Sequence, residues 1–430
     1  MELQGKKIHF VGIGGVGMSA LAQLCADHGA LVSGSDREAS PVTELLENKG
    51  IHVAMPQDVQ NVPEHAALVV YSDAVPEDNP ERARAKELGI EQLSYFSMLG
   101  KVSEGKRTVA VAGTHGKTTT TGMLAKILVD AGASPMVVVG SLVKDFGSNY
   151  VHGDSDLFVV EACEYRDHVL ELSPEVLVVT NLEWEHTDYF PSLAHLQESF
   201  RKAVAKVPAH GAIITNPGNE NIAPILVDAK APIIDYTLEQ NYELRMLGEF
   251  NKMNARAAAA AARLVMPTIH EDVLMTSLSE FHGTWRRFEY KGKTKAGADV
   301  FDDYAHHPTA IRATLAALRA KTRGNVYVAF HPHLYSRTKD LIDDFASSFA
   351  NASKVYIAPI YAAREKDEGL VSHTLLAERI RARGVEAYAL DSFEEIEQAL
   401  GAARLNDAVM TMGAGDIYKV ADKLVATRES

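Results

Sequence analysis

Cysteine is scarce in this chain: only Cys25 and Cys163 occur in 430 residues. Two thiols cannot build a disulfide framework or a structural zinc site, and such usage suits a reducing compartment. A cytoplasmic protein is therefore expected, with both cysteines read as small core residues rather than nucleophiles. Basic residues are also in deficit. Lys and Arg number 43 against 57 Asp and Glu, a formal net charge of −14. Proteins that hold nucleic acid by its backbone carry a basic excess, so no nucleic-acid partner is expected. An acidic chain can still bind an anionic nucleotide if positive groups are local, at helix N-termini, on a few Lys or Arg, or on magnesium. Long apolar runs are missing as well. No stretch approaches the roughly 20 residues that span a bilayer, so no membrane partner is expected. Met1 to Lys7 leads straight into a strand-like run without the form of a signal peptide. There is no internal repeat, and the Ala-rich stretch Ala257 to Ala262 reads as one packed helix.

What is present is ordinary for a soluble globular protein, with 46% hydrophobic and 23% charged residues. At roughly 150 residues per domain the length allows two to four domains. Short apolar runs alternate with helical patterns, which argues for α/β units built on parallel sheets. Ile8 to Ile13, Leu31 to Gly34 and Ala67 to Tyr71 read as strands of a first unit, with a helix over Met18 to His28 stopped by Gly29. The polar, Gly-containing stretch Lys101 to Arg107 marks a boundary. A second unit carries strand-like Thr108 to Ala112, Phe158 to Val160 and Val176 to Val179, and a helix over Ala255 to Val265. A third begins near Thr284, with strands at Val326 to Phe330, Val355 to Ala358 and Ala408 to Met412. The expected domains are 1–104, 105–283 and 284–430: Rossmann-like, P-loop-like and Rossmann-like.

Two glycine loops carry the chemistry. Gly12-Ile13-Gly14-Gly15-Val16-Gly17 follows a strand and opens a helix, and Asp36 stands about 20 residues on, where a ribose-binding carboxylate is expected. Glycines let the backbone approach a pyrophosphate, and the helix start offers free N–H groups. The same pattern also fits a tight turn without ligand. Gly113-Thr114-His115-Gly116-Lys117-Thr118 again joins strand to helix, although Val111 stands where a full P-loop has its first glycine. Lys117 can reach the β- and γ-phosphates and the Thr118 hydroxyl can ligate magnesium. The bland reading is a plain helix start. A dehydrogenase needs only the first loop, and a simple ATPase only the second. Together they imply an enzyme that binds one nucleotide-bearing substrate and separately consumes ATP.

Further motifs follow in order: Glu161-Ala162-Cys163-Glu164, Thr180-Asn181-Leu182-Glu183-Trp184-Glu185-His186, Gly248-Glu249-Phe250-Asn251-Lys252-Met253-Asn254-Ala255, Arg286-Arg287-Phe288-Glu289, Asp302-Asp303-Tyr304-Ala305-His306-His307-Pro308-Thr309 and Gly413-Ala414-Gly415-Asp416-Ile417. With the two loops, this series resembles the Mur ligases, which build the peptide stem of peptidoglycan. The wording Ile13 to Ser19 and Phe330 to Thr338 is most similar to the branch that adds L-alanine to UDP-N-acetylmuramate. Two positions depart from the family pattern: Glu185 replaces Asp, and Phe250 replaces His, removing a polar group from the expected ATP base or ribose contact.

The resemblance implies an ATP-dependent ligation through an acyl phosphate. It places the UDP-sugar on Gly14, Gly15, Val16, Gly17, Asp36 and Ser72. ATP falls to Gly113, Thr114, His115, Gly116, Lys117, Thr118 and Thr119, with Asn251 at the adenine and Arg287 and Asp303 from the third domain. Two magnesium ions are implied, on Thr118 and Glu161 and on His186. Tyr304, His306, His333 and Arg337 are candidates for the incoming L-alanine, and Lys117, His115, His186, His333 and Arg337 for the catalytic set. Taken singly, Glu161 reads equally as a helix cap, His186 as a structural histidine, His307 as loop support, and Arg286 as a surface charge. Catalysis requires the third domain to close over ATP, with the hinge near Thr284. A ligase that recycles a tripeptide onto UDP-N-acetylmuramate, an NAD-linked dehydrogenase using the first loop, and a non-catalytic nucleotide sensor remain the alternatives.

Overall fold

The computed structural model describes residues 2–363 and 365–425. Three sheets succeed one another along the chain. In the first, β1 (Lys7–Val11), β2 (Leu31–Ser35), β3 (His52–Ala54), β4 (Leu68–Tyr71) and β5 (Gln92–Ser94) run parallel in the order β3-β2-β1-β4-β5. The apolar run of β1 is buried on both faces, at Ile8, Phe10 and Val11, as expected where helices cover both sides of a parallel sheet. The strand order reverses beside β1, so the loop leaving β1 opens into the crevice where doubly wound sheets take ligands. The helix Val16–Asp27 starts there. One buried polar cluster interrupts this apolar layer. Glu81 accepts from Asn61 Nδ2 at 2.8 Å, Asp58 N at 3.1 Å and the Ser35 hydroxyl, and lies 3.2 Å from His9 Nε2. Burial works against its charge, yet His9, Ser35 and Asn61 hold the carboxyl below its ordinary value.

The second sheet contains β6 (Arg107–Ala112), β7 (Met136–Val143), β8 (Ser148–Val151), β9 (Leu157–Glu161), β10 (Val176–Val179), β11 (Ala212–Thr215) and β12 (Ile233–Asp235), in the order β12-β11-β10-β6-β9-β7-β8. Only the β7–β8 hairpin is antiparallel. That hairpin packs on the helix Val16–Asp27 through a largely buried polar network. Gln23 donates to Asn149 Oδ1 at 3.2 Å, Asn149 donates to the Ser19 hydroxyl at 3.0 Å, and Lys49 donates to Gln23 Oε1 at 2.6 Å.

The third sheet has β13 (Glu289–Lys293), β14 (Asp299–Asp303), β15 (Val326–Phe330), β16 (Lys354–Ile357), β17 (Glu386–Ala389) and β18 (Ala408–Met412), ordered β13-β14-β18-β15-β16-β17. Strand alternation sorts its residues into two cores. Val326, Val328, Phe330, Met410 and Met412 pack on one face, while Ala329, Val300, Tyr356 and Val409 pack on the other.

By packing, the chain forms two compact units. One holds residues up to 183, 196–243 and 253–282, and so contains the first two sheets. The other holds 184–195, 244–252 and the chain from 283 on, with the third sheet. No helix among the described residues is long and apolar enough to cross a membrane.

Candidate active site

The first loop is as the glycine spacing predicts: β1 ends at Val11, and the backbone turns through Gly12 at φ +80° into the helix that begins at Val16. Asp36, expected at a ribose, is held against the loop, accepting from Gly14 N at 2.7 Å and from Arg37 N at 2.7 Å. A Cβ on Gly14 would lie 2.8 Å from Asp36 Oδ2, so this approach requires glycine. Ser72, just past β4, donates its backbone N–H to Val11 O at 3.1 Å and so borders the same crevice. Gly17 is covered by an aromatic ring that the sequence does not announce. Its Cβ would sit 2.7 Å from the Tyr95 hydroxyl oxygen.

The second loop leaves β6 and enters the helix Lys117–Asp130. Gly113 (φ +122°) and Gly116 (φ +83°) adopt conformations that strain other residues, and a Cβ on either would come within 2.3 Å of Thr180 Oγ1 or Asn254 Oδ1. Lys117 folds over the loop. Its ammonium donates to Gly113 O at 2.6 Å and Thr114 O at 3.2 Å, and pairs with Glu164 at 2.9 Å. Burial opposes its charge, but the Glu164 carboxylate outweighs this, and the Lys117 pKa is raised. Thr118 donates its hydroxyl to Glu161 Oε1 at 2.9 Å, and Gly140 N donates to Glu161 Oε2 at 2.7 Å. Glu161 thus emerges at the C-terminal end of β9, where the apolar run Phe158 to Val160 predicts it. These are hard oxygen donors close together, a set that fits magnesium. Thr119 is buried in the first turn of the helix.

The stretch after β10 braces this loop. Asn181 Oδ1 accepts from His115 N at 2.9 Å, Thr180 and Asn181 donate to His115 O at 2.6 and 2.9 Å, and Glu183 N donates to Thr114 Oγ1 at 2.9 Å. The His115 ring lies 3.3 Å from Glu183 Oε2. Residue-by-residue reading missed Glu164, Thr180, Asn181, Glu183 and Asn254 in these supporting roles. The available signal was that each belongs to a motif already singled out. Cys163 is partly exposed, but burial and the Glu164 carboxylate push its thiol up to about 12, against a nucleophilic role.

The second unit gathers the residues expected at the amino acid. Arg337 is buried and makes a two-armed pair with Glu185, Nε at 2.8 Å and Nη2 at 2.6 Å from Oε1. Its Nη1 lies 3.0 Å from His333 Nδ1. Ring centroids of His306 and His333 are 6.1 Å apart, those of Tyr304 and His306 5.2 Å, and Tyr361 stacks on His333 at 5.6 Å. Burial opposes the Glu185 charge, but Arg337, His306, His307 and His186 hold its carboxyl well below the carboxylate range. Burial, then Arg337, push His306 well down, so its imidazole is neutral near pH 7. His186 takes φ +53°, and its N–H donates to Glu185 Oε1 at 3.0 Å. His307 caps the helix Pro308–Lys321, accepting from Thr309 N. Arg287 lies 4.9 Å from the Tyr304 ring centroid. Asp303 accepts from Phe288 N and Ala305 N, each at 2.6 Å, and burial raises its pKa to about 6 against the pull of Arg287. The surface-charge reading of Arg286 is overturned. It is 3% exposed, pairs with Asp302 at 2.8 Å, and donates to Gly413 O and Gly415 O.

Three family models match along the chain: Mur ligase family, catalytic domain, at residues 7–107; Mur ligase middle domain at 111–245; and Mur ligase, glutamate ligase domain, at 286–415. The UDP-N-acetylmuramate–L-alanine ligase of Clostridium acetobutylicum is 37% identical, with 98% of each chain covered. That of Acetivibrio thermocellus is 38% identical over 99% of this chain and 96% of its own. The chain belongs to the Mur ligase family. Among solved structures, the UDP-N-acetylmuramate-alanine ligase of Thermotoga maritima superposes with a TM-score of 0.79 at 27% identity, covering 97% of this chain and 98% of that one. A murein peptide ligase of Psychrobacter arcticus gives 0.72 at 25%, covering 98% and 100%. The three-domain α/β architecture of Mur ligases is thus shared in full, and the dehydrogenase reading falls away.

As a Mur ligase the chain has two departures, and both now have structural partners. Glu185 carries the buried pair with Arg337. Phe250 packs against the third-sheet core beside Leu247, with its ring over Gly248, so an apolar anchor stands where the family pattern has a polar side chain. Asn251 is buried and donates its amide to Leu247 O at 2.7 Å.

Proposed function

We propose that this Mur ligase joins L-alanine to the carboxylate of UDP-N-acetylmuramate with consumption of ATP, through an acyl phosphate. The observation that carries the reading is the joining of two phosphate loops in one compact unit: Gly12 to Gly17 on β1, and Gly113 to Thr118 on β6 with Glu161 and Glu164 beside it. Domains 1–104, 105–283 and 284–430 are assigned to the UDP-sugar, to ATP, and to the amino acid with closure over ATP. Gly14, Gly15, Val16, Gly17, Asp36 and Ser72 hold the UDP-sugar. Gly113 to Thr119, Asn251, Arg287 and Asp303 hold ATP.

The γ-phosphoryl group passes to a carboxylate oxygen, the bond to ADP breaks, and a mixed anhydride forms. The amine of L-alanine attacks the acyl carbon, phosphate leaves, and the nitrogen loses a proton as the amide forms. Lys117 and the N–H groups at the start of its helix hold the phosphates and offset charge that grows on them. His115, fixed by Asn181 and Glu183, borders the γ-phosphate. Thr118 and Glu161 would hold one magnesium and His186 a second, and magnesium there supplies neutralising charge to the phosphate oxygens. Tyr304, His306, His333 and Arg337 orient the amino acid, with His306 as a neutral ring.

The test is ADP release by the purified chain with UDP-N-acetylmuramate, ATP and a panel of acceptors. Release that requires L-alanine is expected. The likeness to the murein peptide ligase keeps a second reading in view, and faster release with L-alanyl-γ-D-glutamyl-diaminopimelate than with L-alanine would establish it instead.

A further inference from the structure

The turn behind the central acidic motif has no role in the scheme above. Arg166 (φ +52°, ψ +33°) and Asp167 (φ +61°, ψ +18°) occupy the left-handed region in succession. Arg166 is neither glycine nor one of the short polar residues, Asn and Asp, that enter this region readily, so its conformation is held by its surroundings at a cost, a pattern that concentrates at ligand sites. Those surroundings are specific. The His168 ring stacks on Phe96 at 3.6 Å and 15°, and its Nε2 pairs with Asp73 Oδ2 at 2.8 Å. Asp73 follows Ser72 at the mouth of the first-sheet crevice. Phe96 follows Tyr95, whose hydroxyl end lies against Gly17. On the other side, Arg166 is two residues from Glu164, the partner of Lys117. The turn therefore stands between the diphosphate loop and the phosphoryl-transfer loop, inside one compact unit.

The charges at this place are unevenly used. Glu164 is taken by Lys117, and Asp73 by His168. Arg166 is exposed, its guanidinium carbon lies 5.4 Å from the Tyr165 ring centroid, and no carboxylate among the described residues lies within ion-pair distance of it. A surface arginine has no need of a strained backbone. One that must present a planar fork at a set place does, and a guanidinium fork matches a carboxylate in two parallel hydrogen bonds. We infer that Arg166 seats the acceptor carboxylate of the sugar nucleotide, drawing it from the diphosphate loop toward Lys117. This rests on the ligase reading above.

The experiment is calorimetric titration of the full chain, with Mg2+ and a non-hydrolysable ATP analogue, using two ligands. UDP-N-acetylmuramate has the carboxylate; UDP-N-acetylglucosamine has the same nucleotide and sugar without it. Arg166→Asn removes the cation while accepting the left-handed backbone, so its melting temperature should not fall. It should bind UDP-N-acetylmuramate about 10- to 100-fold more weakly, the scale of charged hydrogen bonds, and bind UDP-N-acetylglucosamine as the parent does. Arg166→Lys should lose less. Equal losses on both ligands, or none on either, overturn the assignment of Arg166 while leaving the ligase reading intact. A parent protein that binds neither sugar nucleotide and releases no ADP overturns the ligase reading itself, and the assignment with it.

Discussion

Lys117→Ala separates the catalytic from the structural role of the phosphate loop. The ammonium has three protons, and each meets a protein acceptor: Gly113 O, Thr114 O and Glu164. A lysine so engaged must exchange at least one of these bonds when it turns to a phosphate. Its removal also strands Glu164, whose side chain is 1% exposed. Breaking one half of a buried pair costs about 3–5 kcal/mol, so the single variant should lose stability as well as activity. Glu164→Gln in the same chain removes the stranded charge and should restore most of the melting temperature. Turnover should not return. Loss of a donor aimed at developing charge costs about 10²- to 10³-fold in rate, or about 2.7–4 kcal/mol. Titration of UDP-N-acetylmuramate should be unchanged in the double variant, since the proposed seat of the sugar nucleotide, Gly12 to Gly17 with Arg166, includes neither Lys117 nor Glu164. Because the pKa of Lys117 is raised above 10.5, its contribution to stability is full below that value and fades only as pH rises through the folded value. ADP-release profiles between pH 6 and 9 should accordingly show no inflection from Lys117. Recovered turnover in the Lys117→Ala/Glu164→Gln chain would refute the reasoning, since Lys117 would then serve only to neutralise Glu164.

Three other outcomes follow from the geometry. Gly140→Ala places a Cβ 2.7 Å from both Glu161 carboxylate oxygens, so the Mg2+ concentration for half-maximal ADP release should rise several-fold with little change in UDP-sugar binding; an unaltered Mg2+ curve would remove Glu161 from the metal site. Glu185→Ala should cost about 3–5 kcal/mol, and the Glu185→Ala/Arg337→Ala double variant less than the sum of the singles, because an orphaned buried charge is the main expense; strict additivity in thermal unfolding would deny the pair. His331 is held down to about 4 by burial, against an ordinary 6.5. Its folded pKa is depressed, so the unfolded chain binds more protons between those values, and the stability of the second unit should fall as pH drops from 6.5 toward 4. The expected loss is on the order of 3 kcal/mol, and His331→Phe should flatten that slope in pH-dependent unfolding.

Local chemistry explains which features could be read before any fold was known. The left-handed turns at Gly12, Gly113 and Gly116 need glycine wherever they occur, and a buried parallel strand needs an unbroken apolar run, so strand, loop and helix were legible at both phosphate loops. Glu161 was legible for the same reason, as the first polar residue past the run Phe158 to Val160. The grouping of Tyr304, His306, His333 and Arg337 came instead from ordered motifs, and the third sheet brings these residues together.

Pairing across long separations was not legible, because it depends on strand order and on which charges lose access to water. Lys117 and Glu164 are 47 residues apart, Arg337 and Glu185 are 152 apart, and Gly140 meets Glu161 only because β7 lies beside β9. Arg286 looked like a surface charge until Asp302 and two carbonyl oxygens enclosed it. Likewise, residues 184–195 and 244–252 lie within the central stretch of the sequence, yet they pack with the third sheet. The sequence by itself determined the two loops, the strand and helix alternation and the motif order, since these rest on neighbouring residues. Tertiary structure decided which carboxylate answers which cation and where strain is tolerated, since burial and register exist only once distant segments pack.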